Sequence, residues 1–300
     1  MRTHNRASLG ISCSRSLHRE CDCRAIRKVF RVVIRIRRPI LAVCLALIAI
    51  TLVNVIQFSL YPTIASVVSS KIGRRIPVYS VDVEDDRVSV SLDATWGASR
   101  TQALLDVLDK HGVKATFFLA GYWIKEYPDH VRMIAARGHE IGNHSYSHPH
   151  LNSLSADSIA TELDRCSDMI ESLTGKRPVL FRPPFGEYNN RVIETAEACG
   201  LTTIQWDVDS LDWQNLSKSE IVNRVMSRVK RGSIILFHND GLHTVEALDT
   251  VLGELKNRGF TIVPISLLLL TGETYVDHTG RQKAKPSSPR TSSVESGLEV

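Results

Sequence analysis

The chain has 300 residues, of which 43% are apolar and 23% charged, with 17 Gly and 11 Pro. That is ordinary globular composition; it excludes a collagen-like, wholly disordered or disulfide-dense chain and limits the protein to one or two domains. The net charge of +5 is concentrated at one end. Residues 1–38 carry eleven Lys and Arg against Glu20 and Asp22, a balance of +9, which leaves −4 on the other 262 residues. A nucleic-acid-binding protein carries its basic charge on the folded domain, so no nucleic-acid partner is expected.

In chain order, the basic leader (1–38) is followed by residues 39–70, which hold no charge at all. The apolar run from residue 40 to about 61 is roughly 20 residues, enough for a helix to cross a ~30 Å hydrocarbon core. Arg-rich residues before it place the leader in the cytoplasm and the remainder outside. The expectation is a single-pass anchor at 39–61 in the cell membrane, with an extracytoplasmic domain. A cleaved signal peptide is the competing reading, but its apolar core would be 7–15 residues long. The leader is unusually long for one, and no Ala-x-Ala site follows. A basic nucleic-acid-binding arm explains the Arg residues but not the apolar run. Cys13, Cys21 and Cys23 fall in the leader and Cys44 in the span. Cys21-x-Cys23 lacks the second pair of a zinc site. Cys166 and Cys199 lie in the exported part and are read as buried free thiols rather than a disulfide.

A linker (62–76) leads into a domain at 77–270, where strand-like and helix-like segments alternate. Strands are predicted at 88–92, 114–119, 139–142, 179–181, 202–206, 233–237 and 261–263. Helices are predicted at 101–111, 129–137, 155–173, 192–198, 221–229 and 245–255. This alternation predicts parallel strands with helical crossovers, as an open sheet or a closed barrel. No dinucleotide fingerprint or phosphate loop follows any strand. Residues 271–300, rich in Ser, Thr and Lys, read as a solvated, disordered tail.

The unusual polar residues follow the predicted strands. Asp93 follows the first, His144 and His148 the third, Arg182 the fourth, Asp207 and Asp209 the fifth, and His238 the sixth. In parallel α/β folds that edge gathers side chains from distant sequence into one site. Any one of them alone is more simply a cap or turn residue; five such loops in register favour a shared site. His144 and His148, four apart, would share a face on a helical turn and could chelate a divalent metal, although His139 and His150 lie close enough to compete. Arg182 sits in a rigid Arg-Pro-Pro-Phe loop suited to holding a carboxylate, or to an ordinary surface ion pair. Asp209 and His238 could form a pair in which the carboxylate raises the imidazole pKa.

Leu92-Asp93, His144-Ser-x-x-His148-Pro, Arg182-Pro-Pro-Phe185, Asp209-Ser-Leu-Asp-Trp213 and Leu236-Phe-His238 resemble, in order, the five motifs of the polysaccharide deacetylases. These form the NodB-homology domain of carbohydrate esterase family 4, and the flanking phrases are similar to the sporulation-associated PdaB-type branch. The resemblance implies a distorted (β/α) barrel that removes N-acetyl groups from amino sugars. It makes Asp93 the general base, held by Arg182, and His238 the general acid, oriented by Asp209. His144 and His148 become ligands of a divalent metal, zinc or cobalt. Trp213 and Leu236 wall the acetyl methyl pocket, and the backbone N–H near Phe185 helps stabilise the oxyanion; Phe185 stands where the family usually has Tyr. The family's first motif carries a second Asp as metal ligand, and here that position is Ala94. Either two His with waters or another Asp hold the metal, or it binds weakly, or catalysis is slow or absent. The expected function is a membrane-anchored deacetylase of peptidoglycan, in cell-wall or spore-cortex modification. The alternative is a catalytically weak or inactive glycan-binding protein of the same fold.

Overall fold

The computed structural model describes residues 42–43, 45–55 and 73–286. They belong to two units, one ending at Gly73 and the other beginning at Arg74. In the first, residues 42–43 and 45–55 are helical with exposed apolar side chains such as Leu45 and Ile48. Among the described residues no helix is long and apolar enough to cross a membrane. The leader, both ends of the expected anchor, most of the linker, and Cys13, Cys21, Cys23 and Cys44 lie outside the described residues.

The second unit begins with β1 (Ser80–Val81) and β2 (Arg87–Ala94), followed by α1 (Thr101–Lys110), β3 (Thr116–Leu119), α2 (Gly121–Glu126) and α3 (Pro128–Ala136). Next come β4 (Glu140–Asn143), α4 (Ala156–Thr174), β5 (Leu180–Phe181), α5 (Asn190–Ala198), β6 (Thr202–Thr203) and β7 (Val208–Asp209). The chain continues through α6 (Lys218–Met226), β8 (Ile234–His238), α7 (Thr244–Asn257), β9 (Thr261–Ile262) and α8 (Ile265–Leu268) to β10 (Thr274–Val276) and β11 (Arg281–Ala284).

The main sheet runs β6-β5-β4-β3-β2-β8-β7, with β9 added at the start of β2, and its pairs are parallel. β2 shows how the sequence builds it. Val88, Val90, Leu92 and Ala94 join the apolar cluster that α1, α6 and α7 also line. Ser89, Ser91 and Asp93, on the opposite face by the two-residue period, are buried inside the curl. There the Ser89 and Ser91 hydroxyls donate to the carbonyls of Val263 and Ile235 at 2.7 and 2.9 Å. Phe118, Leu180, Ile204 and Ile234 fill the lower interior, together with β1 and α8.

The two edge strands, β6 and β7, are consecutive in sequence and are not paired with each other. The architecture is therefore a curled parallel half-barrel with helices, open at one seam, in keeping with the distorted (β/α) barrel that the resemblance implies. At that seam Val78 bridges to Ile204 and Ser80 to Ser233. Helix ends follow familiar chemistry. Ser155 caps α4, which ends at Gly175 in the left-handed region (φ 71°), and Ser217 with Glu220 forms a capping box on α6. Cys166 and Cys199 are free thiols.

The expectation of a disordered tail from residue 271 is corrected. β10 and β11 form an antiparallel hairpin, and β11 pairs in parallel with β1. The Gln282 side chain accepts from the Leu270 backbone N–H at 2.9 Å, and Arg281 pairs with Asp82 at 2.7 Å. The polar composition that suggested a tail belongs to a small, partly buried sheet. Residues 287–300 lie outside the described ones. A chain ending at Leu270 is expected to unfold at a Tm lower by about 4 °C or more, the cost of ~1–2 kcal/mol at this size. An unchanged Tm would mean the hairpin contributes nothing to the fold.

Candidate active site

The carboxyl ends of the central strands converge on one cleft of about 640 Å³. Asp93 closes β2, His144 and His148 follow β4, Phe185 follows β5, Asp209 ends β7, Trp213 lies just beyond it, and Leu236 and His238 lie on β8; all line the cleft. Arg182 and Asp212 stand behind it, both with no solvent exposure. The structure thus brings nine of the residues singled out in the sequence to one place and adds a tenth, Asp212, whereas Asp207 lies outside the cleft, accepting from the Ser233 hydroxyl and the Ile234 backbone N–H at 3.0 and 2.9 Å.

Arg182 organises one side. One of its Nη atoms donates to Asp93 Oδ1 at 2.8 Å and to the Ser91 hydroxyl at 2.9 Å, and the other donates to the Gln205 carbonyl at 3.1 Å. Its guanidinium lies 4.1 Å from the Phe118 ring centroid. Burial pushes the Asp93 carboxyl up, but the charge of Arg182, helped by His144 and His238, outweighs it, and the net pKa lies below the usual carboxylate value. Asp93 is therefore an ionised base at neutral pH.

His144 Nδ1 lies 2.7 Å from the Arg182 carbonyl oxygen. A carbonyl only accepts, so Nδ1 carries the proton and Nε2 the lone pair. That Nε2 lies 3.7 Å from Asp93 Oδ2. The His148 ring stands edge-on, 4.9 Å away between centroids. These two residues do not sit on a helical turn. Ser145 and His148 adopt φ 62° and 55°, and the Asn143 carboxamide oxygen and the Ser145 hydroxyl accept from the backbone N–H groups of Ser145 and His148. A side-chain-knotted loop, rather than helical spacing, brings the rings together. Burial lowers the pKa of both, that of His148 to about 4, so both are neutral imidazoles.

On the other side His238 Nδ1 faces a carboxylate, but that carboxylate is Asp212, at 2.8 Å. This corrects the assignment of Asp209 as the orienting acid. Asp209 Oδ1 instead accepts from the Leu211 backbone N–H at 2.9 Å, capping a turn in which Leu211 adopts φ 55°. That turn carries Asp212 beneath the imidazole. Its two oxygens also accept from the backbone N–H groups of His238 and Trp213 and from the Thr244 hydroxyl. Burial lowers the His238 pKa, but the hydrogen bond and charge of Asp212, with Asp93 and Asp209 adding, reverse this and raise it. Asp209-Ser-Leu-Asp212 holds two carboxylates three apart, and only the left-handed Leu211 decides between them. Sequence reasoning also passed over Trp96, three residues after Asp93 and 66% exposed on the cleft wall.

The donors for a metal are two neutral imidazoles. Ala94, where the third ligand was sought, is buried in the apolar cluster. Among the described residues no three His, Cys, Asp or Glu groups converge to hold an ion. The residues present do not complete a three-ligand site.

A curled parallel half-barrel with an ionised carboxylate and a carboxylate-backed imidazole at its strand ends defines a hydrolase-type α/β scaffold. The polysaccharide deacetylase family model matches residues 80–204. The chain is 36% identical over 190 residues to a peptidoglycan-N-acetylglucosamine deacetylase of Bacillus cereus, covering 62% of this chain and 69% of that one. It is 35% identical over 193 residues to the uncharacterized protein YlxY of Bacillus subtilis, covering 64% of this chain and 60% of that one. Among solved structures, BA3943 of Bacillus anthracis, a CE4 family pseudoenzyme, superposes with a TM-score of 0.62 at 36% identity, covering 64% of this chain and 68% of that one. A mutant of BA3943 has restored enzymatic activity. The chain belongs to the polysaccharide deacetylases of carbohydrate esterase family 4.

Because Asp212 leads the causes that raise the His238 pKa, Asp212→Asn is expected to move the His238 titration to lower pH, read by NMR of the imidazole. Asp209→Asn should move it much less. A larger shift from Asp209→Asn would return the orienting role to that residue.

Proposed function

We propose that the protein is a membrane-anchored, outward-facing deacetylase that hydrolyses N-acetyl groups of amino sugars in peptidoglycan, in cell-wall or spore-cortex modification of the PdaB type. The observation that carries this reading is the oppositely biased pair Asp93 and His238, register partners on adjacent strands at one cleft. Asp93, ionised and fixed by Arg182, takes a proton from the water that attacks the acetyl carbonyl. The amide C–N bond breaks as His238, protonated and held by Asp212, gives its proton to the departing sugar nitrogen, leaving acetate and a free amine. Trp213 and Leu236 wall the acetyl methyl, and the Phe185 backbone N–H lies on the loop facing it. The basic leader and apolar run support the anchor, and the substrate named for the Bacillus cereus relative supports peptidoglycan.

A second reading, a glycan-binding protein with weak or no catalysis, is favoured by Ala94 and by the likeness to a pseudoenzyme. Acetate release from peptidoglycan and from N-acetylglucosamine oligomers by the full chain, with and without Zn²⁺ or Co²⁺, separates the two. Activity is expected, and Asp93→Asn should reduce it by about 10²-fold or more, the usual contribution of a general base. Glycan binding with no acetate above the Asp93→Asn level would establish the second reading. Adding a carboxylate to the two imidazoles supplies a further bond and a compensating charge, so Ala94→Asp is expected to tighten Zn²⁺ binding by calorimetry. Unchanged affinity would mean that the new carboxylate stays on the apolar face of β2.

A further inference from the structure

Asp212 has no solvent exposure, so its carboxylate must be met by the chain, and each oxygen receives two donors. Oδ1 accepts from His238 Nδ1 at 2.8 Å and from the Trp213 backbone N–H at 3.0 Å. Oδ2 accepts from the His238 backbone N–H at 2.8 Å and from the Thr244 hydroxyl at 2.6 Å. Two of the four donors are backbone groups and one is the imidazole itself. The Thr244 hydroxyl is the fourth, and the one donor whose removal leaves both the backbone and the acid intact.

Thr244 is the first residue of α7 and is fully buried, and its hydroxyl is not spent on the helix, which starts without a side-chain cap. A short connection fixes where it stands. The Asn239 backbone N–H donates to the Asp93 carbonyl at 3.0 Å, and the Thr244 backbone N–H donates to the Gly241 carbonyl at 3.2 Å. A Cβ on Gly241 would collide with the Thr244 hydroxyl and stand 3.0 Å from the Asp212 carbonyl oxygen. The missing side chain there is what lets the hydroxyl reach the carboxylate. The acid and the hydroxyl are thus the two ends of one connection, residues 238–244, that closes on Asp212 from both sides.

A carboxylate set against an imidazole and screened from water holds the imidazolium proton strongly, because little opposes the attraction. A donor on the far oxygen draws part of that charge away. It stabilises the carboxylate most when the imidazole is neutral, and less when an imidazolium already balances the charge. We propose that Thr244 is a positioning residue for the acid: its hydroxyl fixes Oδ2 of Asp212, leaves Oδ1 to the imidazole, and eases release of the His238 proton to the departing nitrogen. This rests on the reading of His238 as general acid given above. The other charged or titratable groups facing His238 are Asp93 on β2, with Arg182 bonded to it, Asp209 at the end of β7 and the His144 imidazole. A substitution at Thr244 removes none of them.

The test is an NMR titration of the His238 imidazole in the full chain, with a chelator present, for Thr244→Val, Thr244→Ala and Thr244→Ser. Val and Ala remove the donor, and each should raise the His238 midpoint by about half to one pH unit, a three- to tenfold stronger hold on the proton, the scale of one hydrogen bond. Ser keeps the hydroxyl and should restore the original midpoint. A rate that needs protonated His238 falls as pH rises through that midpoint. The basic limb of the kcat profile for acetate release should therefore move to higher pH by the same amount in Thr244→Val, with KM unchanged. An unmoved midpoint overturns the proposal. So does a downward move, the direction expected for Asp212→Asn, because the carboxylate would then have left the imidazole and Thr244 would be a structural prop. A shift in Thr244→Ser as large as in Thr244→Val also overturns it, because packing and not the hydroxyl would set the value. The midpoint is read without substrate, so an absence of acetate from the unaltered chain overturns the deacetylase reading and leaves the Thr244 result standing.

Discussion

A guanidinium shut away from water has only the chain around it for partners, and Arg182 bonds through both Nη atoms to groups from separate elements, while its buried Nε has no hydrogen-bond partner. Its side chain takes Asp93 and Ser91 from β2 and the Gln205 carbonyl from the seam between β6 and β7, and it lies against the rings of Phe118 and Trp206. Its own carbonyl fixes the tautomer of His144. Removing one member of such a buried pair typically costs about 3–5 kcal/mol, so the ionised state of Asp93 is a condition of the fold as much as of the chemistry. The seam is left unpaired in the sheet, and it is through the seam that Arg182 is partly satisfied.

The charge on Arg182 then sets the rest of the site. It lowers the Asp93 pKa, and the resulting carboxylate, with Asp212 and Asp209, raises that of His238. The effect is reciprocal, because the His238 charge also lowers Asp93. Asp93 is ionised above its lowered pKa and His238 protonated below its raised one, so the two charged states coexist in the window between them, which the two opposite shifts widen. Pushing a base and an acid apart in this way assigns their roles through environment. His144 and His148, a few ångströms away, are held neutral by burial. The protein itself therefore supplies every protonation state the proposed reaction needs.

How much of this was readable in the sequence follows from how long and how regular each signal is. β2, with serine and apolar residues alternating, and α4, with Ile159, Leu163 and Ile170 at helical spacing, were plain because many residues agree. β1 and β7 have two residues each, too few for any period, and β10 and β11 are polar strands whose pairing is set by contact with β1. The site residues were readable as a set because strand ends in a parallel sheet converge. Their internal geometry was not, because it depends on backbone turns with positive φ. Ser145 and His148 do what a helical turn was expected to do, and Leu211 turns Asp212, rather than Asp209, toward His238. Non-glycine residues in that conformation carry no reliable sequence mark.

Ala94 also yields to the strand period. Asp93 faces the interior with Ser89 and Ser91, so its neighbour must face the helices, where it packs in one apolar cluster with Ala98, Ala120 and Trp123. A carboxylate at that position has to leave the apolar face to reach the imidazoles or be buried without a partner, so alanine is the residue the local packing prefers. The pair His144 and His148 keeps its geometry through the Arg182 carbonyl and the Asn143–Ser145 turn, and its neutrality through burial. Neither property needs an ion to maintain it. The base and the acid are likewise held in place by the chain alone, through Arg182 and Asp212.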